Sequence, residues 1–248
     1  MRTYRNTFIR RAISYVYEDC HCLICGKQSY VVPLCDNCIQ TSFFNYNPIG
    51  TKRCKRCGRI LIGTDNECFE CQKTPVLHHT DVVFSIHPYK LYYKNLVFEW
   101  KRQENRNIAD LNAELILKVI NHLNIPKNIP IVNVPPRKGK LKSKGWDQIK
   151  DICNYLSKKH GYNNLELLCR NGNQQQKKRN RKERLESSLV EYSPSKLLLK
   201  LKKQDKVPNE VILIDDVITT GATIESCSIV LKEFGVSKVN VIILFIVD

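Results

Sequence analysis

Val211-Ile-Leu-Ile-Asp-Asp-Val-Ile-Thr-Thr-Gly-Ala-Thr223 joins a four-residue apolar run to two carboxylates and then to a turn that opens a helix. The apolar run, Val211 to Ile214, reads as a buried strand. Ala222 to Phe234 reads as a helix that Gly235 closes as a left-handed cap. A strand feeding directly into a helix is the building unit of a parallel sheet, so this stretch predicts an α/β fold. Ligands of open α/β sheets bind in the crevice beyond the carboxyl ends of the strands. Asp215, Asp216 and the turn fall there.

The amides of Thr220, Gly221, Ala222 and Thr223 begin the helix, where backbone N–H groups lack helical partners and the helix dipole favours negative charge. Thr219, Thr220 and Thr223 add hydroxyl donors, and Gly221 permits close backbone approach. This half of the stretch predicts a phosphate site. Two adjacent carboxylates would repel a phosphate unless they face a sugar diol or a divalent cation. A ribose 5-phosphate carrying magnesium pyrophosphate satisfies both halves.

Working outward, Val239-Asn-Val-Ile-Ile-Leu-Phe-Ile-Val247 is a buried strand rich in β-branched residues. Upstream, Asp81 to His87 reads as a strand, and Leu91 to Arg102 and Asn107 to Leu123 as helices. The short strand Ile131 to Val134 stops at Pro135-Pro136 and opens into a basic loop, Arg137 to Lys144. Trp146 to Lys159 has helical periodicity, and Leu165 to Leu168 reads as a strand. Residues 170–188 are almost wholly polar, which predicts a mobile loop or exposed helix; Gln176 to Arg184 could serve as a lid. Residues 79–248 therefore form the α/β domain.

The formal charge of +16 predicts an anionic partner, either nucleic acid or a phosphate-rich small molecule. Residues 136–206 hold 20 Lys and Arg against 7 Asp and Glu, and so carry most of that excess. The longest apolar run is about half the ~20 residues a membrane helix needs. The first ten residues lack the apolar core of a signal peptide. A cytoplasmic protein with no membrane partner is the expectation.

Nine of the twelve cysteines lie between Cys20 and Cys71, in a segment punctuated by glycine and proline. Cys22-x2-Cys25-x9-Cys35-x2-Cys38 and Cys54-x2-Cys57-x10-Cys68-x2-Cys71 are two sets of four thiols at zinc spacing. Two structural zinc ions are expected in a small module over residues 1–78 that depends on metal for stability. Sequential pairing is favoured. Cys35 and Cys38 with Cys54 and Cys57 also have ribbon spacing, and Cys20 or His21 could substitute at the first site. Cys153, Cys169 and Cys227 read as core, and the dispersed histidines receive no role.

The run from Val211 to Thr223 resembles the phosphoribosyl pyrophosphate motif of type I phosphoribosyltransferases. That resemblance implies a parallel sheet flanked by helices. It also implies that Asp215 and Asp216 hold the ribose hydroxyls and that Thr219, Thr220, Gly221, Ala222 and Thr223 hold the 5-phosphate. Pro136 and Arg137 are placed to meet the pyrophosphate. Asp215, Asp216 and Arg137 are the expected catalytic residues, with magnesium as the metal of the substrate.

Together with the cysteine module, the chain resembles the ComF family, which is associated with DNA uptake in natural competence. The shared features are the paired cysteine knuckles, Lys101, Pro135-Pro-Arg137, Lys144-Gly-Trp-Asp-Gln148, Gln176 with Arg184, and Asp215 to Thr223. The family more usually shows Arg-Gly-Phe-Asn-Gln at 144–148, and an Asn where Ser187 stands. The resemblance implies phosphoribosyl transfer to an acceptor that the motif does not encode, with single-stranded DNA or other nucleic acid and competence-machinery proteins as partners. A non-catalytic, DNA-associated accessory or sensor protein is the alternative.

Overall fold

The computed structural model describes residues 20–46, 51–63, 65–136, 145–171 and 192–247. Arg137, Lys144, Gln176, Arg184 and Ser187, with the expected basic loop and lid, lie outside the described residues.

The N-terminal part repeats one plan twice. Strand β1 (Cys20–His21) pairs antiparallel with β2 (Gln28–Ser29), and a helical turn (Asp36–Cys38) runs into a π-helix (Ile39–Phe43). Then β3 (Lys52–Arg53) pairs with β4 (Ile60–Leu61), and helix α1 (Phe69–Lys73) follows. After it come β5 (Val82–Pro88), α2 (Leu91–Lys101), α3 (Asn107–His122), β6 (Ile131–Asn133) and α4 (Gln148–His160). The chain finishes with β7 (Leu168–Arg170), β8 (Tyr192–Pro194), α5 (Lys196–Lys203), β9 (Glu210–Ile218), α6 (Ala222–Glu233) and β10 (Lys238–Ile246).

Strands β5, β10, β9 and β6 form, in that order, a four-stranded parallel sheet. The two central strands are the most apolar because both of their faces are covered. Ile212, Ile214, Ile242 and Leu244 pack with Leu96 and Trp100 of α2, Leu115 of α3 and Ile152 of α4. Val211, Leu213, Val241 and Ile243 point the other way, to Leu198 of α5 and Ile224, Cys227 and Leu231 of α6. Period-two alternation thus gives each helical layer its own core.

Four expectations change. Strand β9 continues through both aspartates to Ile218, because β10 keeps pairing with it as far as Ile246. The strand expected at Leu165 to Leu168 is displaced: Asn164 bridges Ile131, and Leu168–Arg170 pairs antiparallel with β8. Cys169 is exposed there, while Cys153 and Cys227 are core as expected. Helix α4 starts after Trp146, since the Asp147 side chain accepts the amide of Ile149 at 3.1 Å as an N-cap.

The cysteine module docks on the edge strand β5. Ser85 donates its hydroxyl to the Cys57 carbonyl at 2.6 Å, and Arg53 donates to the carbonyls of Ser85 (2.6 Å) and Gly58 (2.8 Å) and also to that of Tyr46. The Arg53 guanidinium stacks 3.9 Å over Phe84, and burial lowers its pKa to about 10. Open backbone groups on a sheet edge invite pairing with another chain, and these contacts cover them. Val32, Leu34, Ile39 and Phe43 join the core on the α2–α4 face, and Cys54, Cys57 and Cys68 join the core on the α6 face. Among the described residues no helix is long and apolar enough to cross a membrane.

Candidate functional site

Asp215 and Asp216 sit in the second half of β9, fixed by the ladder to β10 through Asp215–Ile243 and Val217–Phe245. Successive side chains leave a strand on opposite faces, so the two carboxylates diverge. Asp215 Oδ1 accepts the amide of Asp216 at 2.8 Å, and Asp216 Oδ2 lies 2.7 Å from Lys101 Nζ. Thr219 and Thr220 are exposed, and Gly221 has φ +88°, a left-handed conformation that favours glycine. The amide of Glu225 closes the first turn of α6 on the Gly221 carbonyl at 2.9 Å. The amides before it, through Thr223, belong to the open end of the helix. Strand β6 ends beside β9, with the amide of Val134 bonded to the Ile214 carbonyl at 3.1 Å, which puts the half-buried Pro135 and Pro136 at the same sheet edge.

The segment after the cysteine module straps the back of this turn. Leu77 and Val76 side-chain carbons lie 3.2 and 3.6 Å from the position a Gly221 Cβ would take. The amides of His78 and His79 donate to Glu225 Oε2 at 2.9 and 3.2 Å, and His79 Nδ1 meets Glu225 Oε1 at 2.6 Å. The buried Glu225 carboxylate is thereby satisfied, and the start of α6 is tied to the strap.

Cys22, Cys25, Cys35 and Cys38 bring their sulfur atoms within 4.8 Å of one another, and so do Cys54, Cys57, Cys68 and Cys71. Within them, Cys25 and Cys35 are 3.6 Å apart and Cys57 and Cys68 3.7 Å. A tetrahedral zinc with Zn–S bonds of about 2.3 Å spaces its sulfurs by about 3.8 Å, so both sets fit that ion. The two knuckles share one construction: the amides of Gly26 and Gly58 bond the carbonyls of Cys22 and Cys54, each at 2.9 Å. Sequential pairing is what the fold brings together. Cys20 and His21 belong to neither set.

Burial raises the thiol pKa of Cys22, but amides of Cys35, Cys25 and Ile24 outweigh it and bring the group down to about 6. Cys54 is held at about 7 in the same way, by the amides of Cys57, Cys68 and Arg56. Cys57 is pushed up to about 12, by burial first. The lowered thiol in each set, Cys22 and Cys54, favours a cation there.

No family model matches the chain. It is 24% identical over 237 residues to the "Competence protein ComFC" of Streptococcus pneumoniae (strain ATCC BAA-255 / R6), covering 88% of this chain and 96% of that protein. The likeness covers most of the chain. That likeness, the two four-cysteine clusters and the parallel sheet agree with the resemblance to the ComF family.

The acid pair, the threonine turn and Pro136 share one edge of the sheet, while Arg137 lies outside the described residues. Such an edge can take an anion at the helix start and a diol or cation at the carboxylates. Sequence reading left Lys101 without a role at the acids, and found no role for His79. Only the fold brings α2 over β9 and the strap under α6.

Proposed function

We propose that this protein binds phosphoribosyl pyrophosphate with magnesium and transfers the phosphoribosyl group to an unidentified acceptor, as part of competence-linked handling of DNA. The observation that carries the reading is the acid pair fixed in β9 and followed directly by the Thr219–Thr223 turn onto the start of α6. Asp215 and Asp216 would take the ribose hydroxyls, and the amides and hydroxyls of Thr219, Thr220, Gly221, Ala222 and Thr223 the 5-phosphate. Pro136 and Arg137 would meet the pyrophosphate. Magnesium bound to the substrate supplies charge neutralisation at the leaving group. Displacement at the anomeric carbon passes through a cationic transition state, which ionised carboxylates stabilise without a protein nucleophile. The competence setting rests on the likeness to ComFC.

Calorimetric titration with phosphoribosyl pyrophosphate and magnesium tests the site. Asp215→Asn with Asp216→Asn should abolish binding; unchanged affinity would end the ligand assignment. Pyrophosphate release in the presence of candidate acceptors tests transfer.

The net charge of +16 favours a second reading, a DNA-associated accessory protein that uses the fold for binding only. Single-stranded DNA affinity should then fall steeply with salt, and neutralising Lys177, Lys178, Arg179, Arg181 and Lys182 should reduce both the affinity and its salt slope. Salt-independent binding would exclude it.

A further inference from the structure

Lys101 is the last residue of α2, and its neighbours Leu96, Val97 and Trp100 are buried in the core beneath the sheet. The helix end is therefore held in place, and its lysine reaches across the layer to β9. There Nζ lies 2.7 Å from Asp216 Oδ2, with both side chains mostly shielded from solvent. Asp215 turns one carboxylate oxygen onto the amide of Asp216. An acid pair beside a phosphate-binding helix start needs countercharge, and the ammonium sits on the Asp216 oxygen that a divalent cation would otherwise take.

We infer that Lys101 is a positioning residue for the ribose-phosphate end of the ligand: a resident counter-ion that stands in for metal at Asp216. This rests on the phosphoribosyl reading of the site. An ammonium has three donors, so it can hold the Asp216 carboxylate oriented as an acceptor for a ribose hydroxyl while donating elsewhere. Magnesium is then required by the pyrophosphate end alone. Ribose 5-phosphate, which lacks that end, should bind without metal.

The test is calorimetric titration of the full-length zinc-loaded protein with ribose 5-phosphate, once in magnesium-free buffer without chelator and once with millimolar magnesium. Wild type should bind equally in both. Lys101→Met should lose about 10- to 100-fold in the absence of magnesium, the equivalent of one charge-assisted hydrogen bond, and recover most of it when magnesium is added. Lys101→Arg should behave as wild type. In an Asp216→Asn background, Lys101→Met should add no further loss. Wild-type affinity in Lys101→Met, or a loss that magnesium does not repair, would overturn the inference and leave the proposed site standing as long as wild type still binds. Failure of wild type to bind either ribose 5-phosphate or phosphoribosyl pyrophosphate would remove both.

Discussion

Gly58 and Gly26 occupy the same position in the two cysteine knuckles, with φ of +72° and +71°, yet their surroundings differ. A Cβ on Gly26 would meet nothing within 4 Å, whereas one on Gly58 would lie 2.4 Å from the Val83 carbonyl oxygen, 2.6 Å from the Ser85 amide nitrogen and 2.8 Å from Phe84 Cα. All three are backbone atoms of β5, and β5 is held by its ladder to β10. The knuckle must therefore retreat. Both alanine variants share the left-handed backbone penalty of ~1–2 kcal/mol. Gly58→Ala adds overpacking of ~1–3 kcal/mol and strains the Ser85–Cys57 and Arg53–Ser85 hydrogen bonds, which are worth ~1 kcal/mol each. The excess over Gly26→Ala comes to about 3 kcal/mol.

At ~2–4 °C per kcal/mol for a chain of this size, Gly58→Ala should melt roughly 10 °C below Gly26→Ala. Urea unfolding of the zinc-loaded variants, followed by circular dichroism with zinc content measured in parallel, reads the difference directly. Equal stabilities with both zinc ions retained would refute the docking of the second knuckle on β5.

Elemental analysis should find two zinc ions per chain, and replacing Cys54 and Cys57 by Ser should lose one of them. Because Leu77 shares a core with Cys54, Cys57 and Cys68 and also packs on Gly221, that variant should weaken phosphoribosyl pyrophosphate binding more than Cys22→Ser with Cys25→Ser does. Equal effects on calorimetric affinity would deny the coupling. His87 is held at a pKa of about 3, chiefly by burial and then by the charge of Arg53, while its Nε2 lies 2.7 Å from the Phe43 carbonyl oxygen. An unfolded histidine titrates near ~6.5, so this contribution is complete above that pH and is lost as pH falls towards 3. About 1 kcal/mol should disappear between roughly pH 7 and 5.5, and His87→Gln should flatten that slope in urea titrations with zinc retained. Gly221→Ala, at φ +88° and with Leu77 3.2 Å from the new methyl, should weaken ligand binding several-fold; wild-type affinity would show that the strap yields freely.

The sheet and both cysteine sets were legible because their signals are local. Apolar runs such as Val239 to Val247 mark strands buried on both faces, and the CxxC spacings select the thiols that meet. The full length of β9 was hidden because Asp215 and Asp216 interrupt its apolar run, although Val217 and Ile218 continue the pairing. Helix α5 was hidden in a charged stretch: Leu197, Leu198 and Leu201 make an apolar face only two turns long, started by Ser195 Oγ accepting the Leu198 amide at 3.1 Å. Lys101–Asp216 and His79–Glu225 depend on crossings of distant segments, and nothing in residue spacing encodes those.

The module's placement also explains its own composition. It has too little apolar content for an independent core, yet Val32, Leu34, Ile39 and Phe43 are nearly inaccessible because they finish the core on the α2–α4 face. Its second half completes the opposite face and supplies Arg53 and Gly58 to the edge of β5. Metal held by the two sets would then do more than fold a small appendage. Loss of the first ion would loosen the helical layer whose α2 carries Lys101 to Asp216. Loss of the second would free Leu77 and the Glu225 strap, which lie directly behind it. The two sets, built alike, would therefore be unequal in consequence, and the second is the one through which metal state would reach the start of α6.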